Sequence, residues 1–196
     1  MRAHSVLSVA QVIGAVLAAG AGARMGVPKA ELTLDGARLV DRAVAALRGG
    51  GCASVFAVVR PGVEVPDAVV IVNEHPDRGM RSSLEHAVAA ADGRDALAVL
   101  LVDTPGVSVD AVAAVVTAWR PGRVAVASYR GRRGHPTVMS PALWRDALAL
   151  AGADEGARAF LAAHPELVDD VLVAGSAVDL DTPEDLARWT AFPRAE

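Results

Sequence analysis

Short, almost unbroken apolar runs fall at residues 12–18, 54–59, 68–72, 96–102, 124–128 and 168–173. Runs of this length that do not alternate with polar residues are strands covered on both faces. Stretches with helical spacing separate them: Val40, Ala43, Val44 and Leu47; Leu84, Ala87, Val88 and Ala91; Val112, Val115, Val116 and Trp119. Gly49-Gly50-Gly51 stops the first and Pro121-Gly122 the third. Ser140-Pro141 has the form of an N-cap followed by a first-turn proline, opening a helix to about residue 150. Further helices are expected over 155–163 and after Thr182-Pro183, where Thr182 is the cap and Glu184 and Asp185 favour the helix start. Strands alternating with helices imply an α/β fold: a mostly parallel sheet between helical layers, with ligands beyond the carboxyl ends of the strands. At 196 residues the chain is read as one domain, 1–196, with residues 1–10 a loose lead-in.

Composition narrows the function. With 53% hydrophobic and 21% charged residues the chain is not disordered, and a net charge of −4 argues against nucleic-acid and membrane-surface binding. Cys52 is the only cysteine, which excludes an internal disulfide and a multi-cysteine metal site; its helix–strand junction reads as inert core. The five histidines show no metal-ligand spacing on a helix. Met1-Arg2 and an apolar stretch ending at Ala21-Gly22-Ala23 imitate a secretory signal. Ser5, Ser8 and Gln11 interrupt it, and the clean run 12–23 falls short of the ~20 residues a membrane span needs. The expected location is cytoplasmic.

Of 19 basic residues one is a lysine, Lys29; the rest are arginine. In an Ala-, Val- and Arg-rich chain this marks Lys29 as a place where a compact ammonium is needed. It ends a loop, residues 17–29, that follows the first strand. Small residues with several glycines let backbone N–H groups approach phosphate oxygens. Three phosphate-binding readings compete. A dinucleotide fingerprint fits Gly20 and Gly22, but Met25 takes the third glycine's place, Pro28 disfavours a helix at Val27, and Arg60 stands where a ribose-binding acid belongs. A P-loop needs Gly-Lys-Ser/Thr, whereas Lys29 follows proline and precedes Ala30. The third is a long extended loop wrapped around a nucleoside triphosphate.

The stretch Leu17-Ala18-Ala19-Gly20 followed by Arg24-Met25-Gly26 and Lys29 resembles the signature of the MobA-like nucleotidyltransferases, which hand a nucleotide to molybdopterin. Asn73 with Gly79-Met80-Arg81-Ser82-Ser83-Leu84 resembles the family's second nucleotide-contacting segment. Arg133-Gly134-His135-Pro136, Asp154-Glu155-Gly156-Ala157-Arg158 and Asp179-Leu180-Asp181-Thr182-Pro183-Glu184-Asp185 resemble elements of its cytidylyltransferase branch. The likeness spans about residues 12–190. It implies a three-layer, Rossmann-like sheet of the nucleotide-diphospho-sugar transferase type, with one antiparallel strand.

The resemblance also implies roles. Lys29 and Arg24 are catalytic candidates; Leu17, Ala18, Ala19, Gly20, Gly22, Gly26, Asn73, Ser82 and Ser83 are nucleotide-binding candidates. Asp103, ending the most apolar strand, is the expected Mg²⁺ ligand, with Asp181 favoured over Asp179 as the second. Asp179 and Asp181 flank Leu180, so an extended chain points both the same way. The family usually has Gln or Met where this chain has Thr104, which bears on acceptor contacts. Arg132 and Arg133, in a basic loop over 130–134, and His135 are acceptor-binding candidates. Structural alternatives stand beside these: a Ser82-x-x-Glu85 capping box, a solvated basic loop, and His135 as a hydrogen-bonding loop residue. CTP is favoured over GTP, because Ala19 places a methyl where the guanylyl branch has glycine. The implied partners are a nucleoside triphosphate, molybdopterin or molybdenum cofactor, and a molybdoenzyme client. The alternatives are a sugar phosphate or other small phosphate acceptor, or a non-catalytic carrier of the cofactor.

Overall fold

The structure, a computed structural model, describes residues 11–191, so the lead-in expected at residues 1–10 lies outside them. In chain order, β1 (Val12–Ala18) is followed by a hairpin of β2 (Thr33–Leu34) and β3 (Ala37–Arg38), then α1 (Leu39–Gly49), β4 (Val55–Val59) and β5 (Val69–Val72). Next come α2 (Met80–Ala90), β6 (Ala96–Leu101), α3 (Val109–Ala118), β7 (Val124–Tyr129) and β8 (Arg132–Met139). Then follow α4 (Pro141–Leu150), α5 (Arg158–Ala163), β9 (Val168–Leu172) and α6 (Pro183–Ala191). Among these, no helix is long and apolar enough to cross a membrane.

Seven strands form one sheet in the order β5-β4-β1-β6-β8-β7-β9. Neighbours pair in parallel except at β8, which runs antiparallel to both β6 and β7. The strand order reverses between β1 and β6, so a crevice opens beyond their carboxyl ends.

All seven residues of β1 are buried, and its side chains alternate between two cores. Val12, Val16 and Ala18 join the core under α1 and α3; Ile13, Ala15 and Leu17 join the core under α2, α4 and α5. Covering both faces removes the polar alternation that a solvated strand would show. Each expected inner helix face packs inward, although Val116 is only half-buried. Trp144 of α4 is 1% exposed, and its indole N–H donates to the Leu97 carbonyl at 2.9 Å.

Three expectations need correction. Residues 130–134 are not a loop: only Arg130 and Gly131 form the turn, both at positive φ (52° and 82°), and Arg132 and Arg133 begin β8. A two-residue turn of this conformation matches the twist of a hairpin. The helix expected over 155–163 is shorter, Arg158–Ala163. Ser82 and Glu85 form no capping box, because α2 starts at Met80 and Ser82 lies inside it. At the other two caps the expectation holds: Ser140 Oγ accepts from the Leu143 amide, and Thr182 and Asp185 cap each other reciprocally. Cys52 is buried, which pushes its thiol up to about 12.

The contact of α1 with α3 tests the packing. Gly50 has an ordinary φ of −79°, but a Cβ there would lie 2.4 Å from Val112 side-chain atoms. Gly50→Ala is therefore expected to destabilise the fold by about 1–3 kcal/mol through overpacking. Urea denaturation of Gly50→Ala, Val112→Gly and the double variant checks it, since Val112→Ala would keep the Cβ that the new methyl meets. The double variant should be more stable than the sum of the single losses predicts.

Candidate active site

The loop after β1 is held in a fixed course by its glycines. Gly22 has φ 61°, and a Cβ there would lie 1.9 Å from the Val27 carbonyl oxygen, so only glycine fits. The Met25 amide donates to Gly22 O at 2.8 Å, and the Lys29 amide donates to Gly20 O at 3.4 Å, closing the loop. Lys29 opens a three-residue 3₁₀ turn, Lys29–Glu31, and the first α-helix begins only at Leu39. Arg60, just after β4, donates from Nη1 to the Ala19 carbonyl at 3.2 Å and anchors the start of the loop.

The Lys29 ammonium is the meeting point of three segments. Its Nζ donates to Asp103 Oδ2 at 2.5 Å, and also to Asp181 Oδ1. Asp103 lies in the turn two residues beyond the end of β6. Asp181 is brought to it by the backbone: the Leu180 amide donates to Asp103 O at 2.8 Å, and the Leu180 side chain is fully buried. Leu180 thus points in while Asp181 reaches Lys29; Asp179 is exposed and does not border the cleft, although the charges of Asp103, Asp181 and Lys29 act on it. Desolvation works to lower the Lys29 pKa; the charge and hydrogen bond of Asp103, then those of Asp181, outweigh it, and the net shift is upward. The ammonium is charged at neutral pH. Desolvation, then the charges of Asp103 and Asp181, pushes the Asp179 carboxyl up to about 6.

Lys29, Asp103 and Asp181 line a cleft of about 430 Å³. Of the residues singled out from sequence, Leu17, Ala19, Gly20, Gly22, Arg24, Lys29, Ser83, Asp103 and Asp181 border it. Ala18 is buried in the core behind them, and Gly26 sits at φ 72° on the exposed side of the loop. Asn73 and Ser82 lie behind the wall. Asn73 is fully buried; its Nδ2 donates to Ser82 Oγ at 2.7 Å and Ser83 Oγ at 3.1 Å, and its Oδ1 accepts from the His75 amide at 2.9 Å. Asn73 thereby fixes the 73–79 segment to α2.

The three residues expected around an acceptor separate. Arg132 is exposed, near enough to Asp179 for its charge to oppose that carboxyl's upward shift. Arg133 is engaged in a bidentate pair with Asp170 of β9, at 2.6 and 2.9 Å. His135 lies on β8, not in a loop; its Nδ1 lies 3.2 Å from Val99 O, and its own carbonyl accepts from the Tyr129 hydroxyl at 2.7 Å. Burial lowers the His135 pKa, with the Val99 bond and the Asp103 charge opposing, so the ring is neutral. Thr104 turns away from the cleft: its hydroxyl donates to Leu101 O at 2.7 Å and it borders a separate cavity between α1 and α3.

Asp103 Oδ1 is buried and has no hydrogen-bond partner. A buried carboxylate oxygen left over in this way is unfavourable unless something binds it. No three acidic, histidine or cysteine side chains converge as a metal cage among the described residues. Mg²⁺ does not need one, since it is commonly held by one or two carboxylates, waters and substrate phosphates. Asp103 and Asp181 fit that arrangement. Arg60 and Asp154, which also borders the cleft, are site residues that sequence reasoning did not assign; only the fold brings them here.

Comparison with known proteins agrees with this geometry. The nicotine blue oxidoreductase of Paenarthrobacter nicotinovorans is 37% identical over 194 residues, covering 90% of this chain and 95% of that protein. A molybdenum cofactor guanylyltransferase of Cereibacter sphaeroides is 33% identical over 206 residues, covering 95% and 99%. The crystal structure of Rv0371c from Mycobacterium tuberculosis H37Rv has the same fold, with a TM-score of 0.79 at 23% identity, covering 92% of this chain and 97% of that one. The sheet is of the nucleotide-diphospho-sugar transferase type. The model of the MobA-like NTP transferase domain matches residues 14–168, and the chain belongs to that family of nucleotidyltransferases.

Proposed function

We propose that this protein transfers a nucleoside monophosphate from a nucleoside triphosphate to the phosphate of molybdopterin, releasing pyrophosphate, with CTP favoured over GTP. The observation that carries the reading is the Lys29 ammonium held by Asp103 and Asp181 at the mouth of a glycine loop. In the reaction an oxygen of the acceptor phosphate attacks the α-phosphorus in line. The bond from that phosphorus to the bridging oxygen of the β-phosphate breaks, and pyrophosphate leaves with the electron pair. Both reactants are anionic, so the site must offset repulsion and hold the line of attack. Lys29 would stabilise charge at the transferred phosphoryl group. The amides around Gly20 and Gly22, with Arg24, would hold the departing pyrophosphate. Asp103 and Asp181 would hold Mg²⁺, which when bound supplies Lewis-acid charge neutralisation. A phosphate nucleophile is already ionised, so no general base is needed, and a neutral, hydrogen-bonded His135 is consistent with that.

Arg132 is the better-placed acceptor contact, because Asp170 already occupies Arg133. The product would pass to a molybdoenzyme client in the cytoplasm. A sugar phosphate or another small phosphate is the alternative acceptor, and a non-catalytic cofactor carrier the alternative from another class. The relative named nicotine blue oxidoreductase supports a further reading, redox chemistry in the same cleft. The loop geometry speaks for phosphate transfer, since no α-helix follows β1 to receive a dinucleotide pyrophosphate. The deciding assay incubates purified protein with Mg²⁺, CTP or GTP, and molybdopterin, sugar phosphate or no acceptor, and follows pyrophosphate. A parallel assay follows nicotine blue with a nicotinamide reductant. Nicotine blue turnover without pyrophosphate release would replace the transfer reading.

Lys29→Ala and Lys29→Arg are both expected to lose about 10²–10³ in kcat while remaining folded by circular dichroism. An arginine cannot place one compact charge between two carboxylates at this distance. Asp103→Asn should abolish turnover at ordinary Mg²⁺ concentration with little loss of stability. Retained activity would remove Asp103 as the metal ligand.

For the base, relatives named guanylyltransferases point toward GTP, whereas an alanine rather than a glycine at position 19, a residue that borders the cleft, supports the smaller pyrimidine. The expected outcome is a higher kcat/KM for CTP than for GTP, with the gap narrowed in Ala19→Gly. One methyl is worth about 10–200-fold in such discrimination. Equal efficiency, or a GTP preference, in the unmodified chain would overturn the cytidylyl assignment and leave nucleotidyl transfer standing.

A further inference from the structure

The cleft has two chemically different ends. At one, Lys29, Asp103 and Asp181 meet the glycine loop. At the other, Gly79 before α2 adjoins the carboxylate of Asp154, and Met80 and Ser83 of α2 border the same cleft. Asp154 rides on a turn strapped to α2. The Ala153 carbonyl accepts from the Arg81 amide at 3.0 Å, and the Ala151 carbonyl accepts from Arg81 Nη1 at 2.9 Å. The Glu155 carboxylate braces the turn by accepting from the Gly152 amide at 3.1 Å. Gly79, at φ 91°, makes room: a Cβ there would lie 2.6 Å from Asp154 Oδ1 and 2.4 Å from Ala153 O. Asp154 itself has no hydrogen bond or ion pair among the described residues.

A free carboxylate repels phosphate and can only accept hydrogen bonds, so this wall suits a ligand group that carries N–H donors. On the same cleft, Ser83 Oγ, one turn along α2 from Gly79, accepts from Asn73 and keeps its own proton to donate. An acceptor next to a donor is the complement of cytosine, whose exocyclic amino group donates and whose adjacent ring nitrogen accepts. Uracil presents the reverse, an oxygen acceptor next to a ring N–H. We propose that Asp154 determines base specificity by accepting a hydrogen bond from the exocyclic amino group of the nucleobase, with Ser83 donating to the neighbouring ring atom. The assignment rests on the reading of the cleft as a nucleotide site.

The test is binding, which does not depend on turnover. Calorimetric titration of the full chain with Mg²⁺ and CTP, UTP or the pyrimidin-2-one riboside triphosphate, which lacks the amino group, compares wild type with Asp154→Asn and Asp154→Ala. Wild type should bind CTP at least about tenfold more tightly than either analogue, because a site built for a donor rejects ligands that lack it. Asp154→Asn, whose amide can donate to the uracil oxygen, should bring the CTP:UTP ratio down by about tenfold, and Asp154→Ala should lower it too. Equal binding of CTP and UTP by wild type overturns the proposal. So does a preference that survives in both variants, including the case where their melting temperature falls and the residue only braces the turn. CTP binding with the expected ratios but no pyrophosphate from any acceptor would leave the base contact standing and remove the transfer reaction instead.

Discussion

The position of β1 governs the rest of the molecule. It lies between β4 and β6, parallel to both, and every one of its residues is buried. Parallel pairing on both sides forces three chain segments to leave the sheet at the same end. The first is the glycine loop, the second begins at Arg60, and the third begins at Asp103. The packing leaves β1 little choice of residue: a Cβ at Gly14 would come within 3.0 Å of Leu47 and 3.3 Å of the Cys52 sulfur. The strand that carries the loop is therefore as tightly specified as the loop itself, and Arg60 couples the two by holding the Ala19 carbonyl.

On that frame a single ammonium joins residues separated by 74 and 152 positions in the chain. Two carboxylates this close would repel each other, and Asp103, the more buried of the two, would also lose hydration. Lys29 offsets both costs at once, which a planar, forked guanidinium is poorly shaped to do. This accounts physically for the one lysine in a chain that otherwise uses arginine. The ion pairs alone would not recruit the distant aspartate. Burial of Leu180 and its backbone bond to Asp103 bring the 179–181 segment in, and the charges then fix its end.

Most strands and helices were legible because the sheet is covered on both faces, so apolar runs and helical spacing carry the signal directly. The short β2–β3 hairpin escaped, and so did one strand of the main sheet, β8, which begins with two arginines and contains Gly134 and Pro136, none of which favours a strand in isolation. Its hairpin turn, Arg130-Gly131, lacks the asparagine or aspartate that usually marks such a turn. The Ser82-x-x-Glu85 pattern misled for a different reason: buried Asn73 takes Ser82 Oγ, and Glu85 pairs with Arg81. A local motif lost to a tertiary partner 9 residues away. At the site, Lys29 stood out by rarity and Asp103 by its place at a strand end. Arg60 and Asp154 receive no role from sequence, although Asp154 opens a stretch that resembles the cytidylyltransferase branch, since what each does depends on a loop that only the fold brings near.

The charges at the phosphate end set a condition on the ligand. Asp103 and Asp181 share one ammonium, and desolvation first, then the charges of those two carboxylates, raise the neighbouring Asp179 to about 6. Near neutral pH the cluster is therefore net negative. A free triphosphate, itself carrying several negative charges, would be repelled there despite the loop amides and Arg24. The same triphosphate neutralised by a divalent cation would not. The Asp103 oxygen without a partner among the described residues is the one that Lys29 does not take, so under the proposed reading the arrangement would favour nucleotide and cation together. The excess of acid over base would then distinguish a site for a metal-bound nucleotide from one for a bare phosphate.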